Sequence, residues 1–263
     1  RWSQMTLLAW TVLELTDSPW LVALVGFFGM APMLLLGVLG GVLADRVDRR
    51  SLLIATQLAS FAASLTLAAL LFSGAVRYWH GYLTVLVTGS AWALDQPSRR
   101  SVLHDIVGAA RVTNAIALDS IGNYASRTIG PALAGVLITL VGARGGFVAI
   151  SIFYLAALVL LYFVRLPASR NRGVGPRSIL QNMAEGFRYV RSNNTIMAII
   201  VITALMNFLL FPSLQVMVPV MARDVMHVGP GLMGTLMAGE ALGALVGSVM
   251  IASRGTISYH GRI

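Results

Sequence analysis

The chain has 263 residues, 57% of them hydrophobic and only 11% charged, with a mean hydropathy of +0.79. Soluble domains carry about 25% charged residues, so an ordinary cytosolic enzyme, a disordered protein and a secreted disulfide scaffold are excluded. The net charge is +9 and all 19 basic residues are Arg, yet they lie between apolar runs rather than among aromatics, which speaks against nucleic-acid binding.

There is no cysteine, which removes thiolate metal sites and Cys nucleophiles. The chain opens on Arg1 without a signal peptide and reads as clipped. At roughly 20 apolar residues per membrane span, the apolar runs fall as follows. Met5 to Leu15 is too short to cross and reads as the outer part of a helix. Thr16-Asp17-Ser18-Pro19 turns the chain, with Ser18 as N-cap and Pro19 at the first helical position. The next spans are predicted from about Trp20 to Ala44, Leu52 to Phe72, Tyr82 to Leu94, Asn114 to Val141 and Gly146 to Val164. A seventh covers Ile196 to Val218 and an eighth Leu232 to Ala252.

Loop charge orients these spans. Fourteen arginines fall in alternate loops: at Arg46, Arg49 and Arg50, at Arg99, Arg100 and Arg111, six from Arg165 to Arg191, and at Arg254 and Arg262. The opposite loops hold only Arg77, Arg144 and Arg223, so the rich side faces the cytoplasm. The longest break separates three regions: an amino-terminal six-helix bundle (1–165), a cytoplasmic linker (166–194) and the start of a second bundle (195–263). Within the linker, Ile179, Met183, Phe187 and Val190 have helical spacing and predict an amphipathic helix on the inner surface. Gly37 and Gly41 near the end of span two echo Gly243 and Gly247 in span eight, a weak internal repeat.

The run Gly41-Val42-Leu43-Ala44-Asp45-Arg46-Val47-Asp48-Arg49-Arg50 resembles the signature between the second and third helices of the major facilitator superfamily. Asp48 stands where that family often has Gly. In span five, Ser126, Gly130-Pro131 and Ala134-Gly135 look like the family's exporter-type helix-packing motif, with Ser126 replacing a glycine. Trp92 to Val102 and Gly186-Phe187-Arg188-Tyr189 are similar to a bacterial exporter branch that includes the enterobactin exporter. The resemblance covers nearly the whole chain and implies an all-α, multi-pass transmembrane bundle of major-facilitator architecture, with about eight of twelve helices present.

No enzyme signature competes: HExxH, GxSxG and a phosphate-cradling glycine loop are all missing. His80, His104, His227 and His260 are scattered over loops and the tail, so neither metal nor cofactor is expected. A charge in hydrocarbon costs at least about 2.5–3.5 kcal/mol, so each ionisable residue at membrane depth needs a reason. Asp119, Asn123 and Arg127 lie four apart on span five and form one polar stripe beside Gly122, Ser126 and Gly130. Glu240 is central in span eight. The family packs the fifth and eighth helices together, which implies that Arg127 faces Glu240, as a packing pair or as part of the pathway. Glu14 and Asp17 lie by the outer turn and read as solvated.

Asp95, Arg99 and Arg100 close span four and are expected to join Asp45, Arg46 and Arg49 in a cytoplasmic charge cluster. The expected function is export of a drug-like or siderophore-like small molecule by proton antiport, with alternating access around a midplane site. Asp119, Asn123, Arg127 and Glu240 would line the pathway, and Gly41, Asp45, Arg46, Arg49 and Arg50 would form the gating loop. The expected partners are the substrate, protons and the bilayer of the inner cell membrane, around a monomer. Import by the same fold, or a membrane sensor or assembly protein without transport, are the alternatives.

Overall fold

In the computed structural model the described residues are 1–46, 48–108, 111–163, 188, 190–206, 217–237, 239, 242 and 243. The linker helix expected over Ile179 to Val190 falls almost wholly outside them. Among the described residues there is no strand. Helix α1 spans Trp2–Thr16, α2 Pro19–Arg46, α3 Arg49–Ser73, α4 Tyr78–Val107, α5 Val112–Phe163 and α6 Asn194–Leu205. A π-helical turn follows at Met221–Val225, and residues 230–237 are again helical.

The boundaries follow local chemistry. Asp17 closes α1 in the left-handed region (φ 48°), its N–H donating to the Leu13 carbonyl. Asp48, the departure from the family's glycine, is the N-cap of α3: its carboxylate accepts from the Ser51 backbone N–H and hydroxyl at 2.9 and 2.8 Å. Those bonds, the backbone one first, hold the Asp48 carboxyl below the usual carboxylate range. Asn193 caps α6 by accepting from the N–H groups of Thr195 and Ile196. Spans five and six form one continuous element with a kink at Gly142 (φ 68°), a backbone conformation that glycine adopts without steric cost. The break lies between the two spans predicted there.

One expectation is corrected. The fourth span was placed from Tyr82 to Leu94, but α4 continues to Val107, straight through Pro97. An Asp95–Arg99 pair one turn apart and the Ser98 hydroxyl, donating to the Leu94 carbonyl at 2.9 Å, support the helix where the hydropathy falls.

Helix α1 is buried all round, from Gln4 to Leu13, as expected of a central helix. It packs against α5 and α2, while α2 lies along α4 and α3 lies against both α4 and α5. The core joins Leu7, Leu8, Val12 and Leu13 to Val22, Val25, Leu67, Phe147 and, from the second region, Val220, Ala222 and Met233. Large apolar side chains cover the outside, among them Leu118, Leu140, Leu160 and Phe163. By length and composition, Arg49–Ser73 and Asn114–Phe163 can cross a bilayer. Hydroxyls inside the helices bond back one turn, as Thr11 does to Leu7 and Thr88 to Thr84. That satisfies polar atoms where no water competes.

Candidate functional site

A cavity of about 380 Å³ opens at the start of α1, walled by Thr56, Gln57 and Ser60 of α3, Trp92, Asp95 and Arg99 of α4, and Ser126, Phe153 and Tyr154 of α5. Asp95 is only 5% exposed. Its Oδ2 accepts from Arg99 Nη2 and Nε at 2.7 and 3.1 Å, while Oδ1 has no partner among the described residues. Arg99 is half-exposed, so the pair joins a shielded carboxylate to an open guanidinium. The Arg1 guanidinium lies 3.7 Å from the Trp92 ring centroid and reaches the Gly29 carbonyl. Tyr154 donates its hydroxyl to Gln4 Oε1 at 2.7 Å.

The Gln57 Oε1 and Gln4 Nε2 atoms, both buried, also lack partners among the described residues. A polar side chain left unpaired in a low-dielectric setting is costly, and Arg1, Gln57 and Asp95 each bring one such atom to the wall of this cavity. The unpaired Asp95 Oδ1 and Gln57 Oε1 can accept hydrogen bonds from a polar group in the cavity. Among the described residues no cluster of His, Asp and Glu could hold a metal.

The span-five stripe lies close by. Asp119, Asn123 and Arg127 are each half-buried, and the Arg127 guanidinium is 5.7 Å from the Trp2 ring centroid. Glu240 lies outside the described residues, and with it the expected contact to Arg127. The two helices do meet: a Cβ added at Gly135 would collide with the Pro230 carbonyl oxygen, and one at Gly234 would lie 3.0 Å from the Pro131 carbonyl. Gly130 approaches Trp2 and Ser3 of α1 just as closely. The small residues of α5 thus bring its backbone against both α1 and the second region.

The inner-face cluster is arranged differently from the expectation. Asp95 does not reach Arg49. It is taken by Arg99 on its own helix, and Arg49 pairs instead with Asp105 at the end of α4. Arg50 donates to the Tyr162 carbonyl at 2.9 Å and lies over the same ring, tying α3 to the end of α5. Arg100 is exposed. Gly41, Asp45 and Arg46 belong to α2, but their surroundings lie outside the described residues.

Gln57 and Tyr154 carry no signal in the sequence beyond polarity or a ring inside an apolar run, and Trp92 stands there only as the start of the exporter-like run Trp92 to Val102; the three come from different helices.

The family described as transmembrane secretion effector matches residues 1–258. The staphyloferrin A transporter of Staphylococcus aureus is 26% identical over 257 residues, covering 95% of this chain and 63% of the relative. An uncharacterized MFS-type transporter of Bacillus subtilis, YfiS, is 24% identical over 97% of this chain and 60% of its own length. Macrolide efflux protein A of Streptococcus pyogenes is 23% identical over 95% and 61%. The chain spans about three-fifths of the length of these relatives.

Proposed function

The chain belongs to the transmembrane secretion effector family of the major facilitator superfamily, a family of transporters and not of enzymes, and from that membership we propose that it serves in exporting a small molecule across the inner cell membrane in exchange for protons. The observation that carries this reading is Asp95: a carboxylate shielded from water, held by one arginine, facing a cavity walled by α3, α4 and α5. Ionisable groups are kept at membrane depth only where they pair or work.

In this reading the ionised Asp95, held by Arg99, faces a hydrogen-bond-donating part of the substrate with its unpaired Oδ1. A proton arriving at Oδ1 from the outer side neutralises Asp95 and releases that group outward, and loss of the proton to the inner side restores the carboxylate, so that proton and substrate occupy Asp95 in turn. Trp92, Phe153 and Tyr154 offer flat apolar faces to the body of the substrate, and Asp119, Asn123 and Arg127 extend the polar track along α5. Alternating access would occur by rocking of the two regions about the close contact of α5 with residues 230–237. The named relatives suggest the chemical range to try first, macrolides and siderophores.

The test uses the full-length protein in inside-out vesicles, with a macrolide and staphyloferrin A as separate probes. Export by antiport predicts uptake of a probe driven by an acid interior, collapsed by a protonophore, and lost in Asp95→Asn at equal expression. Uptake indifferent to the gradient would remove the proton coupling, and movement only in right-side-out vesicles would make the protein an importer.

A further inference from the structure

At the end of α1 opposite the cavity, an arginine of the second region reaches the first. Arg223 lies in the π-helical turn Met221–Val225, whose wide ring is closed by Met226 N–H donating to the Met221 carbonyl at 2.9 Å. Two residues on, Val228 N–H donates back to the Ala222 carbonyl at 2.8 Å, and His227 takes a left-handed conformation (φ 53°). This folding places Ala222 fully in the core beside Leu13 and leaves Arg223 at its rim. Inserted π turns recur at functional positions because they re-aim side chains.

The guanidinium makes three contacts. Nη1 donates to the Leu13 carbonyl at 3.1 Å and meets Asp17 Oδ1 at 2.8 Å. Nε is held by Asp224 Oδ1 at 2.6 Å. Leu13 and Asp17 form the carboxyl end of α1, where the helix dipole favours a cation, and the Leu13 carbonyl accepts from both the Asp17 N–H and Arg223. The Asp17 side chain is 83% exposed, so that ion pair alone would contribute little. The carbonyl bond is different, because it reads the position of the α1 backbone itself. Asp224 first, and then Asp17, hold the guanidinium charge more firmly than usual.

We propose that Arg223 is an outer clasp: by binding the carboxyl end of α1 from the second region, it holds the outer face closed, and outward opening requires its release. The loop charges put this end outside. The proposal rests on the transport reading only for the purpose of the opening, and the contact can be tested without any flux.

Spin labels are placed on Trp20→Cys and Val225→Cys, both exposed and outside the clasp, in the full-length protein freed of other cysteines and held in lipid nanodiscs. The clasp predicts a mainly short inter-label distance in the parent. It predicts a longer-distance population several times larger in Arg223→Gln, and an intermediate one in Arg223→Lys, whose single ammonium cannot bridge the carbonyl and both carboxylates. Arg144→Gln, another exposed arginine on the same side, should leave the distribution unchanged. The same short distance in Arg223→Gln as in the parent overturns the proposal. If Arg223→Gln does not insert, Arg223→Met keeps the length of the side chain and removes every donor. An enlarged long-distance population there supports the clasp, and an unchanged one overturns it. Because distance is read directly, the clasp can fail while antiport stands, and antiport can fail while the clasp stands.

Discussion

The two ends of α1 sit in opposite environments. Toward Leu13 the helix is closed in by apolar packing, Val12 and Leu13 sharing one core with Val22, Val220 and Ala222, and Arg223 crosses the rim to the Leu13 carbonyl. Toward Trp2 it opens on a cavity, where Arg1, Gln57 and Asp95 hold buried atoms without a partner among the described residues. Closure and charge are therefore handled at separate ends of one helix. At the Arg223 end the cation is held by two carboxylates at the solvent edge, Asp17 and Asp224, whereas at the cavity end the carboxylate itself is shielded and its partner is half-exposed. The difference teaches where a proton would meet a buried charge: at the Asp95 end.

The largest expected effect therefore falls on Asp95. In the full-length protein Asp95→Asn should lower proton-driven flux at least about tenfold, since charge-assisted pairing to Arg99 and proton exchange are both lost (about 1.4 kcal/mol per factor of ten). Expression and helix content should be retained, and unimpaired flux would erase the contrast between the two ends. Next is Gly135→Leu. Its side chain has no room against Pro230 and Gly234, and overpacking costs about 1–3 kcal/mol or more. The prediction is a lower thermal midpoint with loss of transport, while Gly122→Ala, where a Cβ meets nothing, stays near the parent.

Smaller again is Asp48→Ala, which removes the α3 cap and should cost about 1 kcal/mol, read as a fall in thermal midpoint. The sign with pH follows from the lowered Asp48 carboxyl. Its contribution is complete above the ordinary carboxylate range and disappears as pH falls through the lowered folded value, so parent and variant should converge in acid. Convergence at neutral pH instead would show that the cap is not what stabilises α3. The least effect is expected from Asp105→Asn, which breaks the partly exposed pair with Arg49. A loss within about 1 kcal/mol, shrinking with added salt, is the expected outcome.

Much of the architecture was legible in the sequence because membrane helices must be long and apolar. The turn at Asp17, the start of α3 and the break between the limbs of α5 all fell near their predicted places. The inner end of α4 did not, because Asp95 to Arg100 lowers the local hydropathy and reads as a loop. Its helicity depends on pairs one turn apart, which a hydropathy profile does not register. The site was legible in part. The stripe of Asp119, Asn123 and Arg127 and the small residues of α5 could be read from spacing, since residues on one helix face share a period. Which of Arg49, Asp95, Arg99 and Asp105 pair could not, because that depends on how far α4 projects beyond its apolar part. Gln57, Trp92 and Tyr154 meet only through packing of three helices, and no local pattern marks such a meeting. The clasp was hidden for a similar reason: Asp17 and Arg223 each read as an ordinary loop charge until the π turn brought them together.

The central claim is that Asp95 exchanges a proton for substrate, and it is tested most directly by proton release. Purified full-length protein in weakly buffered solution, with a pH indicator, is mixed with the transported probe near the pH at which flux is half-maximal. The account predicts a release of protons on binding that is absent in Asp95→Asn and preserved in Arg223→Gln. Equal release from the parent and Asp95→Asn would contradict it.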